Sequence, residues 1–297
     1  MKKSGLLDNL LLLPFGVLAW ALEHWIITLL ILFALPWGLD QVTEDHLALK
    51  RNTHGMGVCE TLSEDAEVML LFVNDRESSW TTEQIQSFLS NQVDPALAYI
   101  QEQAAAYGHN ISLSRSYYTQ DGMPYGIPCD ADVTLATGFV QRLLQPDYLR
   151  KIAWELGYYT KNGMLQDDRE YCGKKQVAYL ICVNKSDRCY ANSQETEILL
   201  YDSPEHAVIF SQDVYGGPTG SGTVAHELMH LFGADDYYNE GRRNKTRAEL
   251  ALQLCPNDIM FSGIGDTSLW TAGRYTAYTL GWLEDMPPEY DQWGWWF

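Results

Sequence analysis

Between Thr223 and Glu240 the chain reads TVAHELMHLFGADDYYNE. Two histidines, a glutamate and two aspartates fall between His226 and Asp236, along the edge of an apolar run. Set on a helix at about 100° per residue, Val224, Leu228, Leu231 and Phe232 share one stripe. His226 and His230, one turn apart, lie on nearly the opposite side with Glu227 between them. Imidazole nitrogens bind zinc at ~2.0–2.1 Å, and that spacing lets two of them reach one ion. Gly233 suits a left-handed residue that ends the helix and turns the chain back. The return offers a carboxylate as third ligand: Asp236, with Asp235 as its competitor.

A second stretch bears on the same site. HELMHLFGADD resembles the H-E-x-x-H-x-x-G-x-x-H/D signature of the metzincin clan of zinc peptidases, in the aspartate form found in snapalysin-like members. Downstream, CPNDIMFSG (Cys255 to Gly263) resembles the clan's Met-turn, with Met260 as the methionine beneath the metal. Ser262 stands where some metzincins carry a metal-adjacent tyrosine. The resemblance spans roughly residues 66–284.

The resemblance implies a metzincin-like zincin domain: α/β, with a mixed twisted sheet, an active-site helix and a C-terminal helix. It implies one catalytic zinc on His226, His230 and Asp236, with a fourth position left for a water whose pKa falls toward ~7. Glu227 would take that water's proton as general base and pass it to the leaving amine of a protein or peptide substrate. An aspartate ligand makes the zinc a weaker Lewis acid than a third histidine would. Substrate in the family lies along an edge strand, and ILLYD (198–202) or HAVIFSQD (206–213) could supply that edge. The glycines of GGPTGSG either let a substrate backbone approach or form a plain loop. The alternative to a zinc endopeptidase is a non-catalytic, zinc-stabilised extracellular binding or adhesion module. Glu227 argues for the enzyme, because a structural site has no use for a base.

These residues need a scaffold. EVMLLFV (67–73), ISLSRSYY (111–118), QVAYLICV (176–183), ILLYD and HAVIFSQD read as strands. A helix is predicted from Thr82 to Tyr107, a second helical region from Asp130 to Leu156 with a break at Pro146, and a last helix from Thr271 to Leu283. The order β-α-β-α-β-β-β-α-α predicts one α/β domain with a mixed sheet.

The chain of 297 residues, 46% hydrophobic, is long enough for one sizeable core. Its formal charge of −19 excludes a nucleic-acid binder, which needs a basic surface. Residues 1–40 carry two apolar runs, Leu10–Leu22 and Trp25–Leu39, and read as a membrane anchor, with a cleaved signal segment or a two-helix hairpin as alternatives. Lys2 and Lys3 before the anchor, and Asp40, Glu44 and Asp45 after it, place the rest outside the cytoplasm, membrane-anchored or secreted. Residues 41–65 read as a linker and 66–297 as the peptidase domain. Six cysteines without a C-x-x-C pair predict disulfides, or else buried free thiols. Cys59 is read as half of a disulfide rather than as a metal-blocking residue.

Overall fold

Eight of the nine residues of β1 (Ala66–Asn74) are buried, as befits a strand covered on both faces. β2 (Leu113–Tyr117) and β6 (Gln176–Ser186) flank it in parallel, and β8 (His206–Gln212) adds to β6 in parallel. β7 (Tyr190–Asn192) pairs antiparallel with β8, giving the order β2-β1-β6-β8-β7. Two-residue strands complete the set among the described residues. β3 (Thr119–Gln120) and β4 (Met123–Pro124) pair with each other, and β5 (Ile127–Pro128) extends the sheet beside β1. The result is a mixed α/β fold with a mostly parallel central sheet.

The computed structural model describes residues 58–59, 61–136, 145–192, 204–237 and 249–293. The apolar segment 1–40, most of the predicted linker, ILLYD and the last four residues lie outside these. Among the described residues no helix is long and apolar enough to cross a membrane. The chain divides into two units, 1–49 and 50–297, and the second holds every feature below.

The helix predicted from Thr82 to Tyr107 forms as α1 (Thr82–Phe88) and α2 (Asp94–Ala106), joined by a wide π turn over Leu89–Val93. Pro95 explains the join, since it has no N–H to give to the preceding turn. Of the region 130–156, residues 137–144 lie outside the described ones, and among those described α3 (Tyr148–Glu155) is the helical part. Pro146 disfavours a helical Gln145, and Asp147 caps the new helix through Arg150 N at 2.9 Å. Residues 131–136 are instead irregular chain, held where Asp75 and Asp187 accept the Val133 and Leu135 amides. α4 (Lys161–Cys172) has no strong apolar stripe, burying only Met164, Leu165 and Asp168, which is why its sequence gave no helical signal.

Two boundaries move. The end of the predicted linker belongs to the core: Leu62 N donates to Leu280 O at 2.9 Å, and Trp282 Nε1 donates to Leu62 O at 2.8 Å. The last helix, α6 (Arg274–Thr279), starts later than Thr271, because Thr271 is tied by backbone hydrogen bonds to Asn257 and Ile259. HAVIFSQD, read as a candidate edge, lies inside the sheet; β7 is the edge on that side among the described residues.

The predicted disulfides do not form, and all six cysteines are free. The sheet supplies one reason. Cys182 stands in register with Ile209 of β8, and Cys189 lies on the other side of that strand, its Sγ accepting Phe210 N at 3.4 Å. Two strand spacings, ~9.6 Å, exceed the reach of a disulfide. Cys59 is buried beside Glu205, whose carboxylate accepts its amide at 2.8 Å.

Candidate metal centre

α5 (Ser221–His230) carries the histidines and packs against α2, β7 and β8. Its N-terminal turn lies directly on the backbone of residues 263–265. Gly222 N donates to Gly265 O at 2.9 Å, and a Cβ on Gly220 or Gly222 would meet Gly265 O at 2.0 Å or Gly263 O at 2.6 Å. The last two glycines of GGPTGSG therefore serve this chain's own packing rather than a passing substrate. Val224, Ala225, Leu228 and Met229 are fully buried, and the opposite face is enclosed as well, with His226 2% and Glu227 8% exposed. Gly233 (φ +98°) ends the helix in the left-handed region, as its sequence position predicts.

The returning chain brings Asp236, not Asp235, to the rings. Asp236 Oδ1 lies 3.2 Å from His226 Nε2 and 3.1 Å from His230 Nε2, and the two Nε2 atoms are 3.1 Å apart. Asp235 is buried, with Oδ2 accepting the Tyr275 hydroxyl at 3.2 Å. Tetrahedral zinc with bonds of ~2.0–2.1 Å holds its ligands about 3.3 Å apart. The triangle of two imidazole nitrogens and one carboxylate oxygen therefore fits one face of a zinc tetrahedron in spacing and in donor chemistry.

The far sides of both rings are fixed. His226 Nδ1–H donates to Ile259 O at 2.9 Å, and His230 Nδ1–H donates to Ala234 O at 2.7 Å. That pair of bonds turns each Nε2 toward the triangle. Met260, fully buried, sits in the 3-10 turn Ile259–Phe261, and that turn supplies the carbonyl that orients His226. Tyr237 N donates to Met260 O at 3.1 Å and ties the turn to the residue after Asp236.

Charges in this pocket are displaced. Burial pushes the Glu227 carboxyl up despite the neighbouring imidazoles, and its oxygen lies within 4.8 Å of both ring nitrogens. Burial works against a charged His230, yet the Asp236 carboxylate outweighs it and carries the ring up to about 9 without a metal. Burial opposes the Asp236 carboxylate too, but hydrogen bonds from both rings hold it well below the usual range. Sequence reasoning missed Asp258, Tyr237 and Tyr275, and the carbonyls of Ala234 and Ile259. Carbonyls leave no sequence signal. Asp258 left one, as a cap candidate two residues before Met260. No protein-family model, curated protein or solved structure matches the chain.

Proposed function

We propose that the chain is a zinc-dependent endopeptidase of metzincin type. The observation that carries this reading is the 3.1–3.2 Å donor triangle of His226, His230 and Asp236 with Glu227 buried beside it. The mixed sheet, the site helix and the Met260 turn agree with it in kind. So does β7, which packs against α5 and is the outermost strand on that side among the described residues, since an extended peptide can add at such an edge as a further strand. The apolar N-terminal segment and its flanking charges support an anchored or secreted enzyme working outside the cytoplasm. Six free thiols suit that setting less well than disulfides would, but four are buried and the remaining two half-buried.

A bound zinc supplies a Lewis acid and a water made acidic near neutral pH. His226 and His230, locked by Ile259 and Ala234, present Nε2 without rearrangement. Asp236 adds a negative charge to the ligand set. Glu227 takes the proton of the attacking water and delivers it to the leaving amine, a role suited to a carboxylate whose pKa burial has raised. The test is metal analysis of the full chain with a peptide-library assay on wild type and Glu227→Gln. One zinc in both, with turnover reduced about 10²–10⁴-fold in the variant, is the expected result. Equal turnover would remove Glu227 as the base. Zinc without turnover in the wild type would favour the non-catalytic binding module.

A further inference from the structure

Asp258 is 1% exposed, immediately before the turn that holds Met260. Its Oδ1 accepts Met260 N–H at 2.9 Å. That N–H belongs to the same peptide group as the Ile259 carbonyl, and the carbonyl accepts His226 Nδ1–H at 2.9 Å. A continuous line therefore runs from a buried carboxylate, through one peptide group and one imidazole, to the Nε2 that faces Asp236 and His230. The other contacts of Asp258 fix its position. Gly273 N donates to Oδ2 at 2.7 Å, Thr276 Oγ1 donates to Oδ1 and Oδ2 at 3.0 and 2.9 Å, and the Tyr237 hydroxyl stands 3.5 Å from Oδ2.

We propose that Asp258 is the carboxylate partner of His226, acting through the Ile259–Met260 peptide group to hold the ring in its metal-facing tautomer and enrich Nε2 with electron density. A carboxylate that accepts a peptide N–H polarises that peptide and makes its carbonyl a stronger acceptor. The carbonyl then draws harder on Nδ1–H, and Nε2 becomes the better donor to a metal. Directly bonded carboxylates do the same for metal-binding histidines, and losing one costs about 10–100-fold in metal affinity. Here a peptide group is interposed, so Asp258 is a positioning residue that touches neither metal nor substrate. Burial keeps the line free of competing water and holds Asp258 at a position where its charge is felt.

The inference rests on the metal-centre reading and not on catalysis, so its test uses zinc affinity and proton NMR rather than turnover. Full-length wild type, Asp258→Asn and Thr276→Val are compared by competition for zinc against a chromophoric chelator. The Nδ1–H resonances of His226 and His230 are followed in the zinc-loaded and metal-free chains. Asp258→Asn should weaken zinc binding about tenfold or more and move the His226 proton upfield. Thr276→Val removes a donor from the carboxylate, leaving it freer to polarise Met260 N–H, and should move the same proton downfield. His230, held by Ala234, should stay in place in both variants.

A purely structural role for Asp258 would shift both histidine protons together, or would move His226 the same way in both variants. Either result overturns the proposal, as does unchanged zinc affinity in a folded Asp258→Asn. If that variant fails to fold, the Thr276→Val shift decides alone: downfield supports, unmoved or upfield refutes. A wild type that binds no zinc would end the peptidase reading. The opposite shifts in the metal-free chain would still support the hydrogen-bonded line, and their absence would refute it.

Discussion

Gly263 is the position where backbone geometry and the metal site meet. Its φ is +57°, and an added Cβ would stand 2.5 Å from His226 Cβ, 2.9 Å from Gly222 O and 3.0 Å from His226 Cγ. Gly263→Ala therefore carries two costs. The left-handed backbone with a side chain costs about 1–2 kcal/mol, and forcing a methyl against a packed helix costs about 1–3 kcal/mol more. Gly108 separates the two, because its φ is +87° but nothing lies within 4 Å of an added Cβ. Gly108→Ala should show only the backbone cost. Chemical denaturation of both variants gives the difference, expected at about 1–3 kcal/mol, and thermal melting should follow at about 2–4 °C per kcal/mol. Gly263→Ala should also weaken zinc binding, since the methyl displaces His226 from its bond to Ile259 O, while Gly108→Ala leaves affinity unchanged. Equal destabilisation in the two variants, or an unaltered zinc affinity in Gly263→Ala, would refute the close packing of this turn on the site helix.

Further outcomes follow from the charges and thiols. In the metal-free chain His230 titrates at about 9, above its ordinary 6.5. Its protonated contact with Asp236 therefore stabilises the fold fully below pH ~6.5, and that contribution is lost as pH rises through about 9. NMR titration should find the raised value in wild type and a clearly lower one in Asp236→Asn, where only Glu227 and the Ala234 carbonyl are left to oppose burial; an unmoved pKa would contradict the contact. Lys185 pairs with Asp132 and, at 2.7 Å, with Asp75, whose side chain is 0% exposed. Lys185→Met should cost about 3 kcal/mol in urea unfolding, because the buried carboxylate loses its cation; a loss under 1 kcal/mol would show the pair to be dispensable. Denatured without reductant, the chain should label six thiols, and fewer would mean that a disulfide does form.

The sequence by itself determined which side chains could gather at the site and the kind of fold. HELMH on an amphipathic helix fixes two imidazoles one turn apart, and Gly233 turns the chain back toward them; both follow from local backbone geometry. Long apolar runs such as those of β1 and β6 announce strands covered on both faces. What the tertiary structure decided was whatever depends on atoms distant in sequence or carrying no side-chain identity. Asp236 and Asp235 are adjacent carboxylates of one type, and only the path of the chain after Gly233 sends one to the rings and the other to Tyr275. The edge strand β7 has three residues, too few for a periodic signal, and it displaced β8 from the edge. Gly220 and Gly222, at the start of α5, proved to be contact surfaces for residues 263–265, a pairing about forty positions apart. Cysteine count suggested bridges, and strand order separated Cys182 from Cys189. Local periodicity is written in side-chain order, but which groups meet across the fold is settled by packing, where a single intervening strand or a returning turn chooses between chemically equal candidates.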